Sequence, residues 1–331
     1  MEPWPARDHP GNPVVGPGFR WVYADPAVAT ASESPDGKWH MFTCSAVRIS
    51  HFTSPDGLRW RRARDHWWFG FNPMLLKDGP EFYLYYRKHG KPPTSTIVAR
   101  RSKDLRRWGP PEEILAAKLP WENRTVKNPA VVKWKGRCLL YYGADRVWLP
   151  DVRVYEPKVL GLAEGPGPLG PFERRPEPIL VPRDDDPWRN MSSGGIKVYR
   201  GADGGLLGFQ NTMFRDREGK TRSAIWALRS GDGIKWEPLF PKPLLEPDPG
   251  KKWKRGLVYQ LDAKRVGDDL WMYYNSRSGW FSGRESIGLT VFEGAGVHLE
   301  KSERTDTFLL RIAQSVRPQL KYPANGPEDL I

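Results

Sequence analysis

Short apolar stretches separated by Gly, Pro and Asp turns run along the whole chain, and few windows carry the 3.6-residue apolar period of a helix. Residues 128–143, NPAVVKWKGRCLLYYG, have the pattern of a strand, a tight Lys-Gly turn and a second strand rich in Leu and Tyr. Residues 72–87, NPMLLKDGPEFYLYYR, repeat that pattern closely. The chain is therefore predicted to be built from β-hairpins.

This hairpin pattern occurs five times, and the first strands of the copies begin near residues 25, 72, 128, 193 and 260. A second hairpin closed by an aromatic residue follows most copies, as in SPDGLRW and SGDGIKW. Units of roughly 50–65 residues, each worth about four strands, are typical of propeller blades. The sequence predicts an all-β, five-bladed β-propeller, with residues 1–331 in one domain and an extension after about residue 304 that supplies a last strand.

Composition and charge narrow the classes of function. The chain has 331 residues, 39% of them apolar, and a formal charge of +13. Lys and Arg are scattered through turns and strand ends, so neither a nucleic-acid partner nor a membrane partner is predicted. Cys44 and Cys138 lie in apolar strand patterns typical of reduced, buried thiols, and no leader or long apolar run is evident. These features predict a cytoplasmic protein.

The inner strands of a propeller line a central funnel, so the first residue of each inner strand is expected to point towards the axis. These positions carry polar side chains in all five copies: Asp25, Asn72, Asn128, Ser193 and Gln260. The repeat therefore brings one polar side chain per blade to a single point, where a ligand site is predicted.

Inner strands that begin with DP or NP, second strands with LYY and hairpins of the form S-x-D-G-x-x-W resemble the five-bladed glycoside hydrolases. That superfamily includes glycoside hydrolase family 43, the invertase and levansucrase clan, and the family 130 phosphorylases. The resemblance implies a carbohydrate substrate and two carboxyl groups, a protonated one that donates to the leaving oxygen and an ionised one that activates water or attacks directly.

The resemblance also implies where those groups lie: an Asp base on blade one, an orienting Asp on blade three and a Glu acid on blade four. Asp25 matches the base or nucleophile. Asn128 occupies the blade-three position, and Ser193 or Gly194 occupies the blade-four position, so two of the three carboxylates are absent. A replacement acid must come from elsewhere in the chain.

Two replacement acids are candidates. Glu122 follows Trp121 in a loop predicted to form the funnel rim; the alternative is a rim glutamate paired with Arg124. Asp262 lies two residues beyond Gln260 and is expected to share its inward orientation. The alternative for Asp262 is a strand aspartate that binds a neighbouring Lys or Arg.

Further side chains are predicted to bind the sugar. Trp121 and Trp188 are expected to stack on sugar C–H faces, and Arg124, Asp145 and Arg277 are expected to supply polar contacts. Asp145 and Arg277 follow Tyr-Tyr pairs at the far ends of second strands, so some of these residues are expected away from the funnel mouth. The six histidines look isolated, and neither a metal site nor a cofactor is predicted.

Three functions remain open on the sequence. The first is a glycosidase that cleaves a furanoside or β-pyranoside of a short oligosaccharide. The second is a family 130-like phosphorylase or a transglycosylase, which needs one carboxyl acid and a cluster of cations for phosphate. The third is a carbohydrate-binding propeller without catalysis. Turnover with and without phosphate separates them.

Overall fold

The computed structural model describes residues 2–17, 22–45, 48–89 and 94–300. Within these ranges the chain forms 22 strands and two short 3-10 helices, Pro120–Glu122 and Ala295–His298. Neither helix has the length and apolar character needed to cross a membrane. The predicted extension after residue 304 lies outside the described residues.

Five antiparallel four-stranded sheets form the blades. In blades one to four, the inner strand is the first of the four strands along the chain. Strand β1 is Ala6–Asp8. Blade one contains β2 (Ala24–Ala29), β3 (Trp39–Ser45), β4 (Arg48–Ser54) and β5 (Arg61–His66). Blade two contains β6 (Gly70–Asp78), β7 (Glu81–His89), β8 (Ser95–Ser102) and β9 (Glu112–Ala116). Blade three contains β10 (Val126–Trp134), β11 (Arg137–Ala144), β14 (Val159–Gly165) and β15 (Glu173–Arg174), with a separate hairpin of β12 (Val147–Leu149) and β13 (Val154–Glu156). Blade four contains β16 (Ser192–Arg200), β17 (Leu206–Arg215), β18 (Thr221–Ser230) and β19 (Glu237–Pro238).

Blade five joins the two ends of the propeller. It contains β20 (Leu257–Val266), β21 (Asp269–Arg277) and β22 (Glu285–Phe292), and its fourth strand is β1 from the N-terminal region. Ala6 pairs with Phe292 and Asp8 pairs with Thr290. The all-β, five-bladed propeller predicted from the repeat is thus confirmed, and among the described residues the fourth strand of blade five comes from the N-terminal region. Strand β1 already occupies that edge and so closes the ring.

Hydrogen bonds from the Tyr-Tyr strands to the Asp-Gly turns link neighbouring blades. The buried Tyr273 hydroxyl of blade five donates to the Gly57 carbonyl in the turn of blade one at 2.8 Å. Tyr141 of blade three makes the same bond to Gly233 of blade four, also at 2.8 Å. Both glycines have positive φ, 78° and 77°, a conformation that side chains disfavour. The two repeated phrases recur together because one binds the other across the blade interface.

Each inner strand begins with an irregularity that aims side chains at the axis. The pairing register shifts at the start of every inner strand, as between Ala24 and Ala27 in blade one. Asp25, Asn72 and Asn128 occupy these bulges with φ of 54°, 54° and 51°. Asp and Asn tolerate this left-handed region better than other residues with side chains, which explains the repeated DP and NP.

Candidate active site

A cavity of about 270 Å³ opens at the propeller mouth where the inner strands begin. Side chains from all five blades converge on this cavity. Its polar lining comprises three carboxylates, one amine, five amides and two phenols: Asp25, Glu156, Glu285, Lys127, Asn72, Asn128, Asn211, Gln260, Asn275, Tyr155 and Tyr259.

Asp25 is the carboxylate at the start of blade one, and only 9% of its surface is exposed. Its Oδ2 accepts a hydrogen bond from Asn72 Nδ2 at 2.9 Å, and its backbone N–H donates to Asn275 Oδ1 at 3.1 Å. Burial raises the pKa of Asp25, whereas the charges of Lys197 and Lys127 and the Asn72 hydrogen bond lower it, with a net rise. Asp25 is therefore held in one orientation by its neighbours in blades two and five.

Lys197 supplies the cation beneath Asp25. It is buried, and its Nζ donates to the Pro129 carbonyl at 3.2 Å and lies 3.5 Å from the Pro73 carbonyl. Burial lowers the pKa of Lys197 to about 8, with Asp262 and Asp25 acting in the opposite direction. A protonated Lys197 favours the ionised form of Asp25.

Glu285, at the start of β22, is linked to Asp25 through one asparagine. Asn275 Nδ2 donates to Glu285 Oε2 at 3.0 Å, and the Oδ1 of the same amide accepts from the Asp25 backbone. Burial raises the pKa of Glu285 to about 7, and the charges of Asp25 and Glu156 add to the rise while Arg277 opposes it. Glu285 thus holds a proton at mildly acidic pH.

Glu156 reaches the cavity on the inserted hairpin β12–β13. The tip of the hairpin is anchored to blade four, since Asp151 Oδ1 accepts from the Thr221 hydroxyl at 2.7 Å. It is also anchored to blade five, since Arg277 Nη1 donates to the Val152 carbonyl at 3.1 Å. Burial and the charge of Asp25 raise the pKa of Glu156, and Lys127 opposes the rise. The insertion therefore brings a carboxyl group that the repeat lacks.

The hairpin base also explains why blade four carries no acid. The Ser193 backbone N–H donates to the Lys158 carbonyl at 3.0 Å, and Ser193 is buried and does not line the cavity. A Cβ at Gly194 would lie 2.6 Å from Pro157 Cβ, and a Cβ at Gly195 would lie 2.4 Å from Gln260 Nε2. A side chain at Gly194 would collide with the hairpin base and Ser193 does not line the cavity, so the carboxyl group on this side of the cavity is Glu156.

The axial amides keep unused hydrogen-bonding capacity. Asn72 Oδ1, Asn128 Oδ1, Gln260 Nε2 and the Tyr259 hydroxyl are buried and have no partner among the described residues. Such atoms are rare unless a ligand or water satisfies them. The blade-five bulge contains both Tyr259 and Gln260, so Tyr259 rather than Gln260 is the positional counterpart of Asp25. The cavity is lined to bind a ligand rich in hydroxyl groups.

Glu122 lies outside this cavity, and its contacts are those of a structural residue. It is fully buried, and its carboxylate accepts bonds from the backbone N–H of Leu119, from the Tyr142 hydroxyl at 2.9 Å and from Arg174 Nε at 3.1 Å. The alternative pairing with Arg124 is also not seen, because Arg174 is its cation. Glu122 is thus placed to fix its loop and not to donate a proton to substrate.

We expect Glu122→Ala to lower the free energy of unfolding by about 3–5 kcal/mol, because it leaves the Arg174 charge and the Tyr142 hydroxyl without their acceptor. Denaturant unfolding measures the loss. Glu164→Ala, which breaks the more exposed pair with Arg137, is the matched control and should cost less than about 1 kcal/mol. Equal losses in the two variants would contradict this structural role.

Asp262 lies at the opposite mouth of the propeller. Its Oδ2 accepts from the Val28 N–H at 2.6 Å and its Oδ1 from the Tyr199 hydroxyl at 2.7 Å, and it lines a second, larger cavity there. The expected inward parity fails because the Val258–Leu261 bulge interrupts the alternation of side chains. Asp262 binds blades one and four together instead of facing Asp25.

The tryptophans predicted as sugar platforms are packing residues. Trp121 stacks on Tyr142 with ring centroids 6.0 Å apart and donates to the Pro176 carbonyl. Trp188 packs against Phe214 and Trp226. Neither lines the cavity.

The remaining residues predicted to contact the sugar do not line the cavity. Arg124 is exposed and accepts a bond from the Ser95 N–H through its carbonyl. Asp145 accepts from Asn123 Nδ2 at 2.8 Å. Arg277 is buried against the hairpin and acts on the pKa of Glu285. Arg277 therefore acts on the site without lining the cavity.

The second strands end at the mouth of the propeller. The expectation that some residues at these strand ends lie away from the mouth is therefore wrong. Arg87 pairs with Phe71, and Arg277 pairs with Leu257, at the starts of the inner strands. An antiparallel hairpin returns the second strand to the level at which the first one began. This geometry places Asn275 in the cavity.

Three histidines that look isolated in the sequence are neighbours in blade one. His40 Nδ1 and His51 Nε2 are 2.8 Å apart, and the His51 and His66 rings stack with centroids 6.2 Å apart. Among the described residues, no group of three or more His, Cys, Asp or Glu side chains is arranged to hold a metal ion.

No protein-family model and no curated protein matches this chain. Solved structures match it in fold. The catalytic domain of a GH62 α-L-arabinofuranosidase from Coprinopsis cinerea has a TM-score of 0.62 at 15% identity, covering 87% of this chain and 97% of that one. An α-L-arabinofuranosidase from Lactobacillus brevis has a TM-score of 0.58 at 12% identity, covering 84% and 92%. An N-acetylgalactosamine deacetylase from F. plautii, in complex with blood group B trisaccharide, has a TM-score of 0.62 at 12% identity, covering 84% and 94%.

These similarities establish the fold as the five-bladed propeller found in glycoside hydrolases, which is the resemblance inferred from the repeat. The deacetylase match indicates that the same propeller accompanies more than one reaction on sugars. The fold therefore does not specify the reaction, which depends on the side chains of the cavity.

Proposed function

We propose that this protein is a glycoside hydrolase that cleaves a terminal sugar residue from an oligosaccharide. The observation that carries the proposal is the convergence of Asp25, Glu156 and Glu285 with unsatisfied amides in one small cavity. A volume of about 270 Å³ lies just below the usual range of about 300–1,000 Å³ for ligand pockets, which suits a single sugar ring.

Asp25 is the proposed base or nucleophile. Burial raises the pKa of all three carboxyl groups, so their neighbours decide which one ionises first. Asp25 has the Asn72 hydrogen bond and the charges of Lys197 and Lys127 in its favour, more than either glutamate has. The ionised member of the pair is therefore assigned to blade one.

Glu156 is the proposed acid. It enters from the blade-three side beside Ser193, whereas Asp25 and Glu285 enter from blades one and five. A proton donor must approach the leaving oxygen while the base acts at the anomeric carbon, so two groups on different sides of the sugar are needed. The raised pKa of Glu156 keeps its proton available for donation.

Phosphorolysis is a second candidate, favoured by one observation. Lys127 and Arg87 both lie close enough to Asp25 to lower its pKa, and a pair of cations beside a carboxylate can hold inorganic phosphate as the attacking group. In that reaction Glu156 alone supplies acid catalysis. The predicted cytoplasmic location remains a prediction for either reaction and is tested by cell fractionation.

A panel of aryl furanosides and aryl pyranosides, assayed with and without inorganic phosphate, tests the proposal. Release of the aglycone without phosphate supports hydrolysis. Release that depends on phosphate supports the second candidate. Binding of sugars without turnover of any panel member would reject both reactions and leave a carbohydrate-binding propeller.

A further inference from the structure

Three cations lie close together where blades two and three meet, and one of them, Lys127, lines the cavity. Arg87 is opposite Phe71, just before Asn72, and Lys127 is opposite Gly143, just before Asn128. Arg146 lies three residues after Gly143, just beyond the end of β11. We call Arg87, Lys127 and Arg146 the rim cations.

The rim cations lie within electrostatic range of one another. Arg146 lowers the pKa of Arg87, and both arginines lower the pKa of Lys127, while burial acts in the same direction on the two inner members. Collecting like charges in a half-buried site opposes folding. The carboxylates that offset them, Asp25 and Glu156, are the two groups that the proposed reaction uses.

Neither Lys127 nor Arg146 forms an ion pair with any residue that the structure describes. Lys127 lines the cavity, and its Nζ donates to the Tyr155 carbonyl at 3.3 Å. The exposed Arg146 places its guanidinium 5.5 Å from the centre of the Tyr155 ring. Both cations therefore keep donors available for a group bound in the cavity.

An aromatic surface stands beside these donors. Tyr155 is 57% exposed and lines the cavity, and Trp148, 44% exposed, packs against it with ring centroids 4.6 Å apart. Large aromatic side chains exposed side by side are typical of binding surfaces. A sugar bound beside this surface can contact its exposed aromatic side chains while a substituent of the same sugar reaches Arg146 or Lys127.

The unsatisfied amides are a second, independent sign of a ligand. The buried Asn128 Oδ1 and Gln260 Nε2 have no partner among the described residues and lie in the same cavity as Lys127. Amides match neutral hydroxyl groups, and the rim cations match an anion. The cavity therefore offers both kinds of contact to one molecule.

We infer that the sugar bound in this cavity carries a negative charge, as a carboxylate or sulfate group, and that the rim cations bind that group. This inference rests on the proposed function for its substrate, but it is tested by binding alone.

The experiment compares matched pairs of aryl glycosides in both anomers: glucuronides against glucosides, galacturonides against galactosides, and galactoside 6-sulfates against galactosides. Affinity is measured by titration calorimetry on Asp25→Asn protein, which removes turnover from the readout. A charge-assisted contact predicts that the charged member of at least one pair binds about 10-fold tighter. The preference should shrink as salt is raised.

Arg146→Gln, made in the Asp25→Asn background, should reduce the preference about 10-fold while leaving affinity for the neutral member nearly unchanged. Lys127→Gln in the same background should also reduce the preference. Lys135→Gln is the matched control, because Lys135 stacks on Trp134 at the other end of the same blade. It should leave the preference intact.

Equal affinity for charged and neutral members in every pair, or binding of no charged sugar, would overturn the inference. So would a preference that survives both rim variants. Stimulation of neutral-sugar turnover by inorganic phosphate in the wild-type protein would assign the rim cations to phosphate instead. A charged-sugar preference without any turnover would reject the proposed hydrolase and leave this inference standing.

Discussion

Asp25→Asn is expected to lower kcat on aryl glycosides by about 10²–10⁴-fold, because an amide cannot accept a proton or attack the anomeric carbon. The variant should fold normally. Asn72 and Asn128 already occupy the same left-handed backbone conformation in blades two and three, so asparagine is compatible with the blade-one bulge.

Initial rates measure the loss of kcat, and thermal unfolding tests whether the variant folds normally. Asp185→Asn, an exposed aspartate paired with Arg183 in a surface loop, is the matched control and should keep the wild-type rate. A rate near wild type in Asp25→Asn would exclude Asp25 as base or nucleophile.

Glu156→Gln is expected to lower kcat by about 10²–10⁴-fold on substrates with a poor leaving group and much less on dinitrophenyl glycosides, which need no protonation. The pH profile carries a second signature. Because the pKa of Glu156 is raised, the wild-type rate should fall on the alkaline side as the acid loses its proton. Glu156→Gln should lose that alkaline limb, since glutamine does not titrate.

Glu285→Gln is the matched comparison, since it makes the same substitution in the same cavity. The pKa of Glu285 is raised to about 7, so it also titrates near neutral pH, but it lies on the Asp25 side of the site. We expect Glu285→Gln to affect good and poor leaving groups equally. Leaving-group dependence in Glu285→Gln rather than in Glu156→Gln would transfer the role of acid to Glu285.

The site differs from the pattern implied by the sequence resemblance in where its carboxylates originate. The axial positions of blades two and three hold asparagines, and blade four is closed by Pro157 packed on Gly194. The cavity nevertheless contains three carboxyl groups, because an inserted hairpin supplies Glu156 and a third strand supplies Glu285. A repeat-based alignment of inner strands cannot find either one.

One of these two residues, Glu156, lies in a segment that the sequence itself distinguishes. The connection between the second and third strands of blade three, from Ala144 to Val159, is longer than its counterparts in blades two and four. An over-long connection at the mouth of a propeller is where functional residues are expected. Glu156 lies in that segment, whereas nothing in the local pattern around Glu285 distinguishes it from a surface strand residue.

The amino-acid sequence by itself determined the number of blades, the position of the inner strands and the convergence of Asp25, Asn72 and Asn128 on the axis. These are properties of a repeat, in which turn residues and two-residue periodicity recur at each copy. Only the tertiary structure decided which carboxyl groups share the cavity. It placed Glu122 in a buried hydrogen-bond network. It also placed Asp262 at the opposite mouth, because one bulge changes the face of every side chain that follows it. It also brought Glu156 and Glu285 to Asp25 from distant parts of the chain, since contacts between blades depend on the closed ring and not on local pattern.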